Sequence, residues 1–375
     1  MSADTPLCRR DLFDVPDDVA YFNVASLAPT LRAGLDAGHA ALDRRARPWD
    51  IAAADWFTAA ERRRALFAGL IGATADDVAL VSATSYGMAV AAANLDARPG
   101  QRVLVLAEEY PSGVYTWRRF AARTGAAVAT VRRRAGADWT AAVLAELDAS
   151  VAVVSVPQVH WTDGALLDLE RIGAAARAAG TALVVDATQT AGAMPLDVAA
   201  IRPDFLVTAG YKWLLGPFGL GYLYVDPAHH GGRPLEENWI LREDSDDFAR
   251  LVDYRDAYQP GARRFDVGQR TAFELTPMAI AALEQLTEWT VPRIAASLAA
   301  TTARIAEAAP FPVSEPRGPH MLGLNVPEPA RPALLSALKR TNVHVGVRGT
   351  AVRISPHLHT TDTDLDRLLT ALTAP

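Results

Sequence analysis

Seven short apolar runs, most of them separated by stretches of helical composition, dominate the chain up to residue 225. The runs are 78–81, 103–106, 127–131, 151–156, 182–185, 205–208 and 221–225. Near-continuous apolar strands that alternate with helices are typical of a mostly parallel sheet covered on both faces. We therefore predict an α/β domain with a seven-stranded sheet, and a ligand site where the carboxyl ends of its strands meet.

The alternation stops near residue 260, and a different pattern follows. After residue 260 the predicted elements are helices at 277–296, 298–309 and 365–372 and strands at 322–326 and 352–354. Before residue 260, helices are predicted at 31–45, 52–72 and 169–179. The mixture after residue 260 predicts a second, smaller α+β domain at the C-terminus. The predicted division is an N-terminal arm over residues 1–20, a large domain over residues 21–260 and a small domain over residues 261–375.

The 375-residue chain carries a net charge of −6 at pH 7, which gives no electrostatic reason to expect nucleic acid or an anionic membrane as a partner. Its single cysteine, Cys8, excludes an internal disulfide bond and a cysteine-based metal cluster. No apolar run reaches the ~20 residues needed to span a bilayer, and residues 1–14 lack the apolar stretch of a signal peptide. We expect a cytoplasmic protein that binds neither nucleic acid nor membrane and holds no metal ion.

A lysine and an aspartate follow neighbouring predicted strands. Lys212 comes after a buried strand, in DFLVTAGYKWLLGPFGLGYLY. Desolvation in an apolar cleft lowers the pKa of a lysine, and the neutral amine can then attack a carbonyl; a lysine on a surface loop is the alternative interpretation. Asp186 ends the preceding strand, in LVVDATQTAG, so its carboxylate should lie at the same edge of the sheet. A helix cap is the alternative for this aspartate.

Pyridoxal 5′-phosphate (PLP) requires both of these groups. It is held by a lysine as a Schiff base, and a carboxylate facing its pyridine nitrogen keeps the ring protonated, so that the ring acts as an electron sink. The pair Lys212 and Asp186 therefore predicts a PLP enzyme. Three residues after the aspartate, Gln189 is placed to donate to the phenolate oxygen of the ring.

Three further motifs supply groups that this cofactor and its substrate need. In VSATSYG (81–87), backbone amides at a helix start and the hydroxyls of Thr84 and Ser85 favour a phosphate, although such residues are also ordinary N-caps. In EEYPSGV, the ring of Tyr110 can stack on the cofactor ring; an ordinary loop tyrosine is the alternative. In VRISPHL, Arg353 suits a bidentate grip on a carboxylate, and a surface salt bridge is the alternative.

Together these motifs resemble the class V aminotransferase-like group of fold-type I PLP enzymes, over about residues 21–372. The stretch DFLVTAGYKWLLGPFGLGYLYV is most similar to the epimerase-like and kynureninase-like members, in which a tyrosine, here Tyr211, precedes the lysine. The resemblance implies that Ala83, Thr84 and Tyr211 hold the phosphate. It also implies that Thr271, in RRFDVGQRTAFELTP, reaches the phosphate of a neighbouring subunit, and hence a homodimer with shared active sites.

The resemblance also implies how the substrate is bound. Arg353 matches the arginine that binds the α-carboxylate of the amino-acid substrate. Asn23, in YFNVASLAP, matches a segment that lines the substrate pocket. Trp161, in PQVHWTDGALLDL, lies where desulfurases often carry an asparagine near a cofactor oxygen, and its indole N–H can donate there.

The implied reaction begins when the substrate amine displaces Lys212 and forms an external aldimine. The freed amine of Lys212 then takes the Cα proton as general base. The cofactor ring delocalises the carbanion that is left. Desulfurases of this group use a cysteine in the C-terminal half, and this chain has none there. We therefore favour a C–S lyase that acts by β-elimination on a bulky cysteine S-conjugate. An aminotransferase, an isopenicillin-N-epimerase-like racemase or epimerase, and a decarboxylating oxidative variant are the alternatives.

Two further interpretations concern the substrate's size and the class of protein. An aromatic set expected near the mouth of the site favours a bulky substrate, with packing in the core or a dimer interface as the alternative; the set is Trp49, Trp56, Tyr115, Trp117, Trp161 and Trp213. A PLP-fold module without catalysis is disfavoured because Lys212 and Asp186 are both present. A dinucleotide-binding enzyme would need a G-x-G-x-x-G turn after the first strand, and VSATSYG lacks this spacing.

Overall fold

The computed structural model describes residues 7–133 and 138–373. Its strands are β1 (Ala20–Tyr21), β2 (Val78–Val81), β3 (Arg102–Leu106), β4 (Ala127–Val131), β5 (Val151–Pro157), β6 (Ala182–Asp186), β7 (Phe205–Ala209), β8 (Gly221–Val225), β9 (Leu322–Asn325), β10 (Val343–His344), β11 (Gly346–Arg348) and β12 (Ala351–Ile354). Its α-helices are α1 (Arg32–Arg45), α2 (Thr58–Leu70), α3 (Thr84–Asn94), α4 (Pro111–Thr124), α5 (Trp139–Glu146), α6 (Leu169–Ala179), α7 (Val198–Ile201), α8 (Thr276–Trp289), α9 (Val291–Ala308), α10 (Arg331–Arg340) and α11 (Asp362–Thr373).

Strands β2 to β8 form one seven-stranded sheet in the order β2-β8-β7-β6-β5-β3-β4. Only β8 runs antiparallel to its neighbours, so the sheet is mostly parallel. Successive residues of a strand point to opposite faces, and in β2 Val78 and Leu80 enter one hydrophobic cluster while Ala79 and Val81 enter another. The predicted α/β fold is confirmed, and each predicted strand of this sheet is found within one residue of its bounds.

The C-terminal part of the chain has a core of its own. A three-stranded antiparallel sheet, in the order β11-β12-β9, shares a hydrophobic cluster with residues of α10 and α11. The short strand β1 pairs in parallel with β10, and Ala20 and Phe22 belong to the same cluster. The N-terminal segment therefore packs against the smaller unit, although residues 1–6 of the predicted arm lie outside the described residues. The predicted boundaries after residues 20 and 260 stay predictions.

Several predicted helix bounds were wrong, two of them in the C-terminal part of the chain. The predicted helices 277–296 and 298–309 are found as α8 and α9, which are separated at Thr290 and not near residue 297. Thr290 has a φ of 62°, which ends α8. Pro292 then lies in the first turn of α9, where its missing N–H costs nothing and its fixed φ favours a helix start. Similarly, the predicted helix 52–72 begins as a short 3₁₀ turn, and the α-helix starts only at Thr58.

A buried ion network fixes the segment after residue 260 against the large sheet. The carboxylate of Asp266 accepts hydrogen bonds from Arg64 Nη2 and Arg270 Nη1, each at 2.7 Å, and from the backbone N–H of Leu80 at 2.7 Å. Both arginines and the aspartate are almost fully buried. Because each buried charge is paired, the network holds the segment that carries Thr271 beside α2 and β2. Among the described helices, none is long and apolar enough to cross a membrane.

Three histidines packed between the two units predict a loss of stability in mild acid. Burial lowers the pKa of His320 to about 4, of His357 to about 3 and of His359 to about 4. Neither ring nitrogen of His357 has a hydrogen-bond partner among the described residues. The unfolded chain binds a proton at such a histidine below pH ~6.5, whereas the folded chain does not. The stability that neutral His357 provides is therefore lost as pH falls from ~6.5 toward 3.

Replacing His357 with leucine should remove this dependence at one site. Urea denaturation of the wild type and of His357→Leu at pH 7.5 and pH 5 measures it. The wild type should lose about 2 kcal/mol more than the variant over this interval, since pH 5 lies ~1.5 units below the unfolded pKa. His39→Leu, at an exposed position of α1, is the control and should follow the wild type. Equal losses in wild type and His357→Leu would contradict the prediction.

Candidate active site

A cavity of about 200 Å³ opens at the carboxyl ends of the central strands. The residues that line it follow five strands of the sheet, β2, β3, β5, β6 and β7. Seven of the eight residues predicted to bind the cofactor lie on its wall, namely Ala83, Thr84, Tyr110, Asp186, Gln189, Tyr211 and Lys212. A larger cavity, of about 550 Å³, is formed by residues of the segment 237–256 and contains none of the predicted site residues.

Lys212 and Asp186 face this one cavity. Lys212 is buried and Asp186 is half-buried. Burial lowers the pKa of Lys212 to about 8, an effect that Asp186 opposes and that Arg353 and Arg348 enhance. Burial raises the pKa of Asp186, while a hydrogen bond from the backbone N–H of Thr188 to Oδ1, at 2.9 Å, and the charge of Lys212 act in the opposite direction. The neutral amine is therefore accessible near physiological pH.

The start of α3 provides an anion site at one end of the cavity. Ala83 is the N-cap residue, with extended φ and ψ of −162° and 160°, and the first N–H groups of an α-helix lack intrahelical acceptors. The Thr84 hydroxyl lies 2.9 Å from that of Thr188. Gly87 allows α3 to approach β7, because a Cβ at this position would lie 2.4 Å from Val207. The free amides and the helix dipole both favour a phosphate here.

Two tyrosines flank the lysine. The ring centroids of Tyr110 and Tyr211 lie 5.7 Å and 5.6 Å from Lys212 Nζ. Tyr110 precedes α4 and meets the ring of Trp161 edge-on, with centroids 5.4 Å apart. The indole N–H of Trp161 donates to the carbonyl of Glu108 at 2.7 Å, so it is not free to donate to a cofactor oxygen as the sequence suggested. Trp161 still lines the cavity, where it can contact substrate.

Gln189 is held in a fixed orientation by two hydrogen bonds. Its Nε2 donates to the carbonyl of Ala25 at 3.0 Å, and its Oε1 accepts from the indole N–H of Trp213 at 2.8 Å. The second N–H of the amide is not used by these bonds. It remains available for an acceptor in the cavity, as the predicted contact with a phenolate oxygen requires.

Arg353 lies on β12 as a buried cation, and no carboxylate of residues 7–133 or 138–373 pairs with it. It is 1% exposed, and its Nη1 donates to the carbonyl of Trp161 at 2.7 Å. Its Nε and Nη2, and the Oδ1 of Asn23, have no partner among the described residues. Gly346 faces Arg353 across β11–β12, and a Cβ there would lie 2.8 Å from Asn23 Oδ1 and 3.5 Å from the guanidinium. Burial lowers the pKa of Arg353 to about 9, a cost that a bound carboxylate would offset.

Thr271 is the predicted cofactor residue that does not lie on the cavity. Its side chain is buried, and its hydroxyl donates to the carbonyl of Trp56 at 2.6 Å. The predicted contact with the phosphate of a neighbouring subunit concerns an assembly, and it stays a prediction.

The aromatic set predicted at the mouth of the site is mostly elsewhere. Trp117 and Trp213 are buried in the hydrophobic clusters, and Trp56 packs in an aromatic cluster with Trp239, Phe248 and Phe273. Trp49 and Tyr115 are largely exposed. Of the six residues only Trp161 lines the cavity, so the set gives no support for a bulky substrate.

One charged residue of the cavity wall and one charged residue near it were not predicted from the sequence. Glu109 lines the cavity, its Oε1 accepts from the Tyr110 N–H at 2.7 Å, and burial raises its pKa to about 7. Its position after β3 was a usable signal, since the residue beside it was selected for that reason. Arg348 lies on β11, close enough for its charge to lower the pKa values of Lys212 and Arg353. Nothing in its local sequence distinguished it from a surface arginine.

These residues fit PLP in kind and in position. The amides of Ala83 and Thr84 would hold the phosphate, Asp186 the pyridine nitrogen, Gln189 the phenolate oxygen and Lys212 the aldehyde carbon. The observation that supports this fit is the convergence of a buried carboxylate, a desolvated amine and a helix start on one cavity.

Comparison with known proteins gives the same assignment. The family model for aminotransferase class V matches residues 47–238, half of the chain. A kynureninase from Deinococcus radiodurans is 31% identical over 291 residues, which cover 74% of this chain and 68% of the kynureninase. An isopenicillin N epimerase from Streptomyces clavuligerus is 28% identical over 208 residues, 54% of this chain and 52% of the epimerase.

A solved structure shares the fold over its full length. It is a mutant of C-DES with glycine covalently linked to the PLP cofactor, and it superimposes with a TM-score of 0.86 at 20% identity, covering 99% of this chain and 100% of C-DES. With the family model and the kynureninase match, the conclusion is direct: this chain belongs to the class V aminotransferase family of PLP-dependent enzymes.

Proposed function

We propose that this protein is a C–S lyase that eliminates the β-substituent of a cysteine S-conjugate. The Cα–H and Cβ–S bonds break, the thiol leaves with a proton, and the resulting aminoacrylate is hydrolysed to pyruvate and ammonia. The observation that carries the proposal is a cavity with an amine and no thiol. The only cysteine of the chain, Cys8, is exposed, and its Sγ contacts the carbonyl of Thr360 outside the cavity. A route through a protein persulfide lacks its acceptor.

The residues of the cavity, with Arg353 bonded to the carbonyl of Trp161 on its wall, provide the other requirements of an elimination. PLP, when bound, supplies an electron sink for the pair left at Cα. Arg353 holds the substrate carboxylate and so orients the Cα–H bond toward Lys212. Lys212, with its pKa lowered to about 8, takes that proton and returns it to the departing sulfur, because one amine close to both atoms serves as base and then as acid. Tyr110, on the wall of the cavity, would stack on the cofactor ring.

A homodimer with shared active sites is also proposed. Phe218 lines the cavity and is 71% exposed, and Trp49, Tyr115 and Tyr254 are exposed as well. Large exposed aromatic side chains are enriched at protein–protein interfaces. A second subunit that covers Phe218 would complete the wall of the cavity. A cytoplasmic location stays a prediction.

A second candidate is cleavage of kynurenine. The observation that favours it is the 31% identity with a kynureninase over three quarters of the chain. It uses the same groups, since Arg353 and Lys212 act on the carboxylate and the Cα proton of any α-amino acid.

One product analysis separates these reactions. The purified, PLP-loaded protein is incubated with S-conjugates of L-cysteine and with L-kynurenine, and the products are identified by mass spectrometry. The lyase proposal predicts pyruvate and free thiol in equal amounts from the conjugates. Release of an oxo acid that retains the sulfur substituent, accumulation of the D-epimer, or cleavage of kynurenine alone would contradict it. Protein reduced with borohydride before the assay is the control and should give no products.

A further inference from the structure

Two arginines of the small sheet share one face and both contact Trp161, which lines the cavity. In the antiparallel pair β11–β12, Arg353 lies opposite Gly346, and Arg348 lies opposite Ala351. Residues two apart on a strand share a face, so Arg348 lies on the face of Gly346 and hence of Arg353. Diagonal neighbours of this kind are about 7–8 Å apart at the backbone, within reach of long side chains.

Arg348, like Arg353, has no acidic partner among the described residues. Its Nη1 donates to the carbonyl of Val347 at 2.7 Å and its Nη2 to the hydroxyl of Ser26 at 3.2 Å. No carboxylate of the described residues lies within 4 Å of it, whereas about half of the other described arginines have one. A second cation beside a buried one is unfavourable unless an anion compensates for it.

Both guanidinium groups contact Trp161, but at different parts of the residue. The carbonyl of Trp161 accepts from Arg353, while the guanidinium of Arg348 lies over its ring, 5.7 Å from the centroid. Two carboxylates, one at each guanidinium, would compensate for both charges.

The acidic groups near Arg348 do not compensate for its charge. Arg348 also lines a neighbouring cavity of about 280 Å³, together with Glu108 and Asp163. Asp163 already pairs with Arg133 at 2.9 Å and with the hydroxyl of Ser314. Glu108 is exposed and makes no side-chain hydrogen bond within the described residues.

We propose that Arg348 binds a second carboxylate, carried by the side chain of the substrate. The substrate is then a β-substituted amino acid with an acidic side chain, held by its α-carboxylate at Arg353 and by its distal carboxylate at Arg348. For the reaction at Cβ this inference rests on the proposed lyase function. For the binding of two carboxylates it rests only on the two arginines and on Trp161, which both of them contact.

A matched pair of substrates tests the inference through turnover. S-carboxymethyl-L-cysteine and S-carbamoylmethyl-L-cysteine differ only in the charge of the distal group. The wild-type holoenzyme should prefer the carboxymethyl conjugate by about tenfold or more in kcat/KM, as expected for a charge-assisted hydrogen bond. In Arg348→Gln this preference should fall close to one, and in Arg348→Lys part of it should remain. Arg340→Gln, at an exposed position of α10, is the control and should keep the full preference.

A binding measurement separates failure of this inference from failure of the lyase proposal. Succinate and succinamate are titrated into the holoenzyme by calorimetry, with no turnover involved. If neither conjugate is cleaved, but succinate binds at least about tenfold tighter and Arg348→Gln removes the difference, the lyase proposal is wrong and the inference stands. If the conjugates are cleaved without a charge preference, or the preference survives in Arg348→Gln, the inference is wrong and the lyase proposal stands.

Discussion

Lys212→Ala should lower kcat/KM by at least about 10³-fold, the scale expected when a positioned acid–base group is removed. It should also abolish the visible absorption of the covalently held cofactor. Lys212 supplies the amine of the cavity, and burial keeps its pKa near 8, where a useful fraction is neutral. The chain has only one other lysine, Lys339, which is exposed on α10. No neighbouring amine can therefore replace the lost one.

The matched control is Lys339→Ala. It removes the same side chain from the surface and should keep both wild-type turnover and the yellow colour. Normal turnover by a colourless Lys212→Ala protein would show that the amine is not part of the chemistry. Because an alanine in this cavity removes a partly charged buried group, the variant should fold, and its circular dichroism spectrum should match that of the wild type.

Asp186→Asn should be the second most damaging substitution, with a loss of at least about 10² in kcat. Asparagine retains an oxygen that can accept from the N–H of Thr188, as Oδ1 of Asp186 does at 2.9 Å. It does not retain the negative charge that a protonated pyridine nitrogen requires. The substitution therefore separates the two interpretations of this residue, because asparagine caps a helix as well as aspartate does.

The control for Asp186→Asn is a true helix cap. Asp168 accepts from the N–H of Arg171 at the start of α6, and Asp168→Asn should leave turnover unchanged. Cofactor titration should show that Asp186→Asn still binds PLP, since the phosphate site and Lys212 are intact. Wild-type kcat in Asp186→Asn would mean that the residue only shapes the turn after β6.

The sequence allowed the large sheet to be predicted because its strands, except the edge strand β4, are buried on both faces. Each strand then appears as an apolar run, and the residue that follows it lies at the ligand-binding edge. This is why Ala83, Tyr110, Asp186 and Lys212 could be selected, and why they meet in one cavity. The break between α8 and α9 was misplaced because it depends on a positive φ at Thr290, a threonine in a conformation that its residue type disfavours.

Residues whose role depends on long-range packing were not predictable in the same way. Arg348 resembles any surface arginine until β11 pairs with β12 and places it beside Arg353. The tryptophans were predicted at the mouth of the site by residue type alone, and type does not tell whether an indole fills a core, as Trp117 does, or lines a cavity, as Trp161 does. Thr271 was assigned through the family resemblance to a contact between subunits, and that contact stays a prediction.

The charge of the cavity follows from these long-range contacts. Arg348 lowers the pKa values of Lys212 and Arg353, and Arg353 lowers that of Lys212. Bound anions would stabilise all three cations. A phosphate at α3, an α-carboxylate at Arg353 and a distal carboxylate at Arg348 would neutralise a region that is otherwise electrostatically unfavourable. The same charges would draw an anionic substrate into the site.

The central claim is that Lys212 holds PLP in this cavity, and reductive trapping tests it directly. The PLP-loaded protein is treated with borohydride, digested and mapped by mass spectrometry. Because the chain has only two lysines, the outcome is unambiguous. The account predicts the reduced cofactor on the peptide that contains Lys212 and none on the peptide that contains Lys339. Cofactor on Lys339, or protein that carries no adduct although it turns over substrate, would contradict it.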